Sequence, residues 1–344
     1  MSDGQAQRTI SQRAARGRKT RLAAARCGLD DITGIARLGA LADMISRAHE
    51  PRADVTAGRE TLTRARRVGL LAGTFNPLTV AHTALAESAC TSGQVEAIVW
   101  TLAVVSVDKE RLARASLADR LVQLDVYARA AATDNAVVLV NRGLYVDQAR
   151  ALRGVLPPDV ALAIVVGFDK LVQIFDPRYY EDRDAALDAL FAEAELLVAP
   201  REGFGAEDIQ ALLAQPENRR YAARVRRLAL AAAHLDDSSS RVRALAAAGA
   251  SRQRIARLTA PEGFALVDTG AYVAGQKVGG RDHYGWRVAW EQALAEQPDL
   301  ADGLAGLSTL VERTMRADAP GADLRAWLAA PRGTTPPPGA NARE

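Results

Sequence analysis

Val68-Gly69-Leu70-Leu71-Ala72-Gly73-Thr74-Phe75-Asn76-Pro77-Leu78-Thr79-Val80-Ala81-His82 is the stretch that decides the fold. Its first six residues form a short apolar run closed by glycine, the pattern of a buried strand, and a helical pattern follows over about 80–92. Gly73 lets the backbone turn sharply, and Pro77 halts the extended run and stiffens the turn. The helix starting near Val80 directs its free amides and the positive end of its dipole at whatever lies above the sheet. Thr79 and His82 are three apart and share a face of its first turn. A hydroxyl and an imidazole thereby converge on an anion held by backbone amides. This is a phosphate-site pattern other than the P-loop: the chain has no G-x-x-x-x-G-K-[ST], and no G-x-G-x-x-G follows this strand. The competing reading is a capped helix with an incidental histidine. Because the chain has only four histidines, one placed at such a turn is informative.

Working outward, strands are expected at 95–102, 136–140, 161–166 and 195–199, alternating with helices at 116–132 and 146–155. Strands and helices alternating at these lengths predict an α/β, Rossmann-like parallel sheet with helices on both faces. Such sheets bind ligands outside the carboxyl ends of their strands. Ahead of the sheet, 1–30 reads as flexible. Ile35, Leu38, Leu41, Met44 and Ile45 predict an amphipathic helix over 33–49, ended by Pro51. Beyond 205 the pattern is helical, at 207–214, 219–233, 238–248, 285–295 and 302–329. Residues 331–344, with Pro336-Pro337-Pro338, read as a disordered tail. The expected organisation is a basic, partly disordered and helical extension (1–67), an α/β domain (68–270), a C-terminal helical extension (271–330) and the tail (331–344).

At 344 residues and 49% apolar content the chain can bury a large core, and 25% charged residues exclude wholesale disorder. Aromatics at 5% disfavour a single-strand nucleic-acid binder built on stacking. Two cysteines, Cys27 and Cys90, exclude a disulfide scaffold and a multi-cysteine zinc site. No run approaches the ~18 apolar residues of a membrane span, and the opening residues lack the apolar run of a secretory signal. A cytoplasmic protein is expected. The net charge of +3 is uneven: fourteen basic against seven acidic side chains in 1–67 give that segment +7 and leave the remainder at −4. A basic leader can grip RNA or another phosphate-rich partner through 1–30, or be a solvated tail.

A second anion site is expected at Asp237-Ser238-Ser239-Ser240-Arg241-Val242-Arg243. Serines at a helix start are N-cap signals, their hydroxyls and the free amides suit an oxyanion, and Arg243 lies one turn in. Asp169, in Gly167-Phe168-Asp169 at the end of a strand, suits two sugar hydroxyls, or caps the helix that follows. The chain has only four lysines, and Lys109, after the strand at 95–102, suits a mobile phosphate contact. Its alternative is a surface lysine. Tyr145 and Trp100 lie at strand-end loops, open to a site above the sheet, or are core positions.

Gly73 to His82, G-T-F-N-P-L-T-x-x-H, resembles the signature of the HxGH-type nucleotidyltransferases, above all the nicotinamide/nicotinate mononucleotide adenylyltransferases. In that branch the first histidine is commonly threonine after F-N-P, as at Thr79, and His82 matches the histidine that contacts the transferred phosphate. Asp237 to Arg243 resembles the family's I-S-S-T-x-x-R, with Ser240 for threonine and Asp237 for isoleucine. The family uses that motif for the β- and γ-phosphates of ATP. Gly167-Phe168-Asp169 resembles its ribose-holding G-x-D. Phe175-Asp176-Pro177-Arg178-Tyr179-Tyr180 resembles F-D-P-x-Y-Y of a fungal-type offshoot. Arg120 resembles a helix position read as structural, and Pro200-Arg201-Glu202-Gly203 a segment read as supporting the fold. The resemblance covers about 68–270.

It implies a nucleotidyltransferase fold and direct adenylyl transfer from ATP to nicotinamide or nicotinate mononucleotide, with Mg²⁺ bridging phosphates and no protein metal site. By the resemblance His82, Thr79, Lys109 and Arg243 are catalytic. Gly73, Thr74, Phe75, Gly167, Asp169, Ser238, Ser239 and Ser240 bind ATP, and Asn76, Tyr145 and Trp100 bind the acceptor. Three alternatives stay open: the same chemistry on phosphopantetheine or with CTP, a non-catalytic nucleotide-binding module with an RNA- or protein-binding leader, and terminal helices that build a homo-oligomer.

Overall fold

The computed structural model describes residues 3–105, 115–201, 203–235, 237–273 and 284. Helices α1 (Asp3–Asp30) and α2 (Ile32–Ser46) come first, then strand β1 (Ala53–Ala57) and the short helix α3 (Arg59–Arg64). The alternating part runs β2 (Arg67–Ala72), α4 (Val80–Thr91), β3 (Ala97–Ala103), α5 (Leu117–Ala130), β4 (Asp134–Val140), α6 (Tyr145–Arg153), β5 (Ala161–Gly167), α7 (Phe168–Phe175), α8 (Arg183–Glu193) and β6 (Ala194–Ala199). Helix α9 (Ala206–Ala214), strand β7 (Val225–Arg227), α10 (Ser239–Ala247), α11 (Arg252–Leu258) and α12 (Pro261–Asp268) complete the described elements.

The seven strands form one sheet in the order β1-β4-β3-β2-β5-β6-β7. All neighbours are parallel except β1, which runs antiparallel to β4 with Ala53 opposite Val140. The α/β, Rossmann-like class expected from the alternation is therefore the observed one. The parallel strands are near-continuous apolar runs because helices cover both faces. Leu70, Val99, Val138 and Ile164 face one core, and Leu71, Ile98, Trp100, Val137 and Val165 the other. From β2 the chain winds outward to β3 and β4, then returns to the other side of β2 with β5. The strand order reverses between β2 and β5, and a ligand crevice opens at their carboxyl ends.

Three expectations change. Of the stretch 1–30, read as flexible, residues 3–30 form α1, because Ala25 and Leu29 are buried in a third apolar cluster with Val122, Phe264 and Leu266. The helix expected over 219–233 is instead a 3-10 turn, β7 and a second 3-10 turn at 232–234. There Leu196, Leu197 and Val198 pair with Val225, Arg226 and Arg227, and Arg226 Nε meets Glu195 Oε2 at 3.2 Å. An open sheet edge and a carboxylate partner override the helical bias of alanine and arginine. Finally, β1 lies ahead of position 68, so the sheet reaches into the expected leader. Helical readings at 285–295 and 302–329, and the tail, lie outside the described residues. No described helix is long and apolar enough to cross a membrane.

Candidate active site

A cavity of about 500 Å³ opens at the carboxyl ends of β2, β3, β5 and β6. Gly73, Thr74 and His82 form one wall, Gly167, Asp169 and Arg201 another, and Ser238, Ser239 and Ser240 a third. Tyr145 and Gln148 also line it.

The turn between β2 and α4 is fixed by its backbone. Phe75 has φ of 45°, a left-handed conformation that costs a non-glycine residue about 1–3 kcal/mol unless the surroundings impose it. Here they do, since every carbonyl from Thr74 to Leu78 accepts a hydrogen bond from another element. Arg120 Nη1 donates to Thr74 (3.1 Å) and Gln123 Nε2 to Phe75. Arg243 Nη1 donates to Asn76 (2.8 Å), Ser239 Oγ to Pro77 (2.7 Å) and Ala260 N to Leu78 (3.2 Å). The two motifs of the sequence thus meet physically: Ser239 and Arg243 of the second hold the carbonyls of the first.

His82 closes the turn. The Thr79 amide donates to its Nδ1 at 3.1 Å, and Thr79 Oγ1 lies 2.8 Å from the same nitrogen. An amide can only donate, so Nδ1 carries no proton and the neutral ring is protonated at Nε2. Thr79 itself is fully buried. It orients the ring and does not line the cavity. The capped-helix reading of His82 therefore holds, and the same side chain also lines the cavity. Burial, and after it the positive charge of Arg201, lowers the His82 pKa from 6.5 to about 4. The imidazole stays a neutral N–H donor at neutral pH.

This shift has a consequence for stability. The unfolded chain takes up a proton at His82 near pH 6.5, which the folded chain refuses until about pH 4. The contribution is complete above pH 6.5 and is lost as the pH falls toward 4. Thermal unfolding followed across this window should show a steeper loss for the wild type than for His82→Asn. Parallel curves would contradict the assignment.

At the second motif, Ser238 Oγ caps α10 by accepting from Arg241 N at 3.2 Å, and Ser240 Oγ accepts from Arg243 Nη2 at 3.1 Å. Arg243 points under the first turn rather than into the cavity. Asp237, in the family's isoleucine position, is 7% exposed. Its carboxylate lies between His234 Nδ1 (3.6 Å) and Arg241 Nη1 (3.9 Å). Asp169 Oδ1 lies 3.4 Å from Arg201 Nε, and a Cβ at Gly167 would lie 2.8 Å from that same oxygen, so glycine there gives the acid room.

Of the residues expected in the site, the structure brings together Gly73, Thr74, His82, Tyr145, Gly167, Asp169, Ser238, Ser239 and Ser240. It does not bring Trp100, which is fully buried with its Nε1 donating to Asn135 Oδ1 (2.8 Å) and its ring packed on Phe75 and Tyr127. Phe75 is likewise core, and Asn76 is fully buried, accepting at Oδ1 from the Tyr272 hydroxyl (2.7 Å). Both serve the turn and do not face the cavity. Lys109 lies outside the described residues. Arg120 and Arg201, read as structural, line the cavity, as do Gln148, Lys170, Tyr179 and Tyr180. Burial lowers Arg120 to about 10, so it remains a cation at neutral pH. The position of Arg201 just after a strand end is the signal that could have marked it.

The α/β crevice, with two helix starts on one cavity, has the form of an anion-binding site. A family model described as cytidylyltransferase-like matches residues 70–245, just over half of the chain. The chain belongs to the cytidylyltransferase-like family. Among curated proteins it is similar to a probable nicotinate-nucleotide adenylyltransferase of Citrifermentans bemidjiense, 32% identical over 123 residues, which are 33% of this chain and 55% of that protein. A second, from a Synechococcus strain, is 29% identical over 125 residues, 35% of this chain and 59% of that one. The chain spans little more than half the length of these relatives. Among solved structures, the Plasmodium falciparum nicotinic acid mononucleotide adenylyltransferase complexed with NaAD aligns over 60% of this chain and 97% of its own, at 12% identity and a TM-score of 0.46.

Proposed function

We propose that the protein transfers the adenylyl group of ATP to nicotinamide or nicotinate mononucleotide, releasing pyrophosphate. The observation that carries this reading is the junction of the two anion motifs: His82 and Ser239 line one cavity, and Ser239 is bonded to the Pro77 carbonyl of the turn that aims His82. The names of the curated relatives support the acceptor class.

A 5′-phosphate oxygen of the mononucleotide attacks the α-phosphorus of ATP. The new P–O bond forms as the bond to the β-phosphate breaks, and no protein nucleophile is needed. Catalysis is then positioning plus charge stabilisation. His82 donates its Nε2–H to an α-phosphate oxygen. The start of α10, with Ser238 to Ser240, receives the leaving pyrophosphate, and Arg120 and Arg201 supply positive charge. Asp169 accepts from ribose hydroxyls, exchanging its weak contact with Arg201. Lys109 guides the acceptor phosphate, and Tyr145 lies against the pyridine ring. Magnesium carried by ATP would supply charge neutralisation at the phosphates. Among the described residues no three His, Cys, Asp or Glu side chains gather as a metal site, and the carboxylates lining the cavity are Asp169 and Asp237. That donor set fits an ion held chiefly by phosphates and water.

Incubation with ATP, Mg²⁺ and each mononucleotide, with chromatography of the products, tests the reading. A dinucleotide from at least one pyridine acceptor is expected. Turnover only with phosphopantetheine, or only with CTP, would replace it.

A further inference from the structure

Gln123 lies in α5, wholly buried between Val122 and Leu124, and does not line the cavity. An amide buried among leucines is costly unless both its ends are bonded. Both are: Nε2 donates to the Phe75 carbonyl, and Oε1 accepts from the Leu78 amide at 2.9 Å. The two legs of this clamp reach His82 by separate routes. The Phe75 ring meets the His82 ring edge-on, with centroids 5.2 Å apart. Leu78 precedes Thr79, whose amide and hydroxyl fix His82 Nδ1. Between the legs, Asn76 is held by the Tyr272 hydroxyl at 2.7 Å. Tyr272 comes from beyond residue 245, where the family match ends.

We propose that Gln123 is a positioning residue for His82, fixing the tautomer and aim of its ring through Phe75 and Leu78, with Tyr272 supporting the same turn from outside the family domain. Its effect on turnover rests on the adenylyl-transfer reading, whereas its effect on the imidazole does not. Gln123→Met keeps the volume and removes both bonds. Gln123→Glu keeps the acceptor for Leu78 and loses the donor to Phe75. Tyr272→Phe removes one hydroxyl.

Two readouts decide the proposal. In steady-state kinetics, kcat should fall roughly 10- to 100-fold in Gln123→Met, less in the other two, with KM for ATP and acceptor changed by no more than about threefold. In ¹⁵N spectra of the histidine rings, wild-type His82 should show one tautomer with an unprotonated Nδ1. In Gln123→Met and Tyr272→Phe its shifts should move toward the tautomer average, while the other histidines stay in place. Folded variants with unchanged His82 shifts and unchanged kcat would overturn the proposal. If Gln123→Met does not fold, unchanged His82 shifts in Tyr272→Phe overturn it. If the wild type transfers no adenylyl group, the function fails separately and the ring spectra still decide this assignment.

Discussion

Replacing His82 with alanine should lower turnover by about two orders of magnitude or more and leave the protein folded. The ring has two jobs, and they differ in size. Its Nδ1 accepts from the Thr79 amide at the start of α4. Losing such a cap costs about 1 kcal/mol, which a core of this size absorbs. Its Nε2–H is the donor left for a phosphate oxygen in the cavity. Removing one preorganised donor to developing charge costs roughly 100- to 1,000-fold in kcat. The measurement is kcat at saturating ATP and acceptor, beside a thermal unfolding curve. A folded alanine variant within about threefold of wild type would remove His82 from the chemistry, since loss of such a donor typically costs about 100-fold or more.

The largest stability effect is expected at Arg21. Its Nε and Nη2 hold both carboxylate oxygens of Glu262, at 2.7 and 2.8 Å, and its guanidinium lies 5.0 Å from the centre of the Tyr127 ring. The Glu262 side chain is wholly buried. Arg21→Met leaves that carboxylate without its partner, a loss of about 3–5 kcal/mol. Arg21→Met combined with Glu262→Leu replaces the pair by apolar groups, and should recover most of the loss. Urea unfolding of the two variants tests this. A single variant within about 1 kcal/mol of wild type would show that α1 does not depend on the pair. The pair also matters for the site. Glu262 sits in α12, whose preceding residue Ala260 donates to the Leu78 carbonyl, and Thr259 pairs with Thr79. A Cβ at Gly263 would fall 2.0 Å from the Leu78 oxygen, so only glycine lets α12 approach the turn so closely.

Features set by local chemistry were legible in the sequence. The β2 turn, the α10 cap and the strand–helix alternation each depend on neighbours within a few residues, and the observed elements fall within a few residues of their expected positions. Features set by long-range pairing were not. β1 is five residues, Ala53-Asp54-Val55-Thr56-Ala57, and becomes a strand because β4 offers it an edge. Trp100 lies in a strand buried on both faces, where alternation gives no cue to which way a ring points. The ring entered the core, so Trp100 is not an aromatic that faces the acceptor. Asn76 and Phe75 carry the family pattern yet act from beneath the turn, because a tight turn needs its backbone groups satisfied as much as its ligand does. Arg201 was readable as a site residue from its place at a strand end, since crevices of open α/β sheets form there. Arg243 reads as a phosphate contact from its spacing, but its fork is spent on Asn76 and Ser240, which binds one motif to the other.

In the proposed reaction the bond broken in ATP is the one between the α- and β-phosphates. Parallel reactions with α-labelled and γ-labelled ATP, each with a pyridine mononucleotide and Mg²⁺, test it most directly. The α-label is expected in the dinucleotide and the γ-label in pyrophosphate. Label from the γ-position in the acceptor product, or in free inorganic phosphate without any dinucleotide, would contradict it.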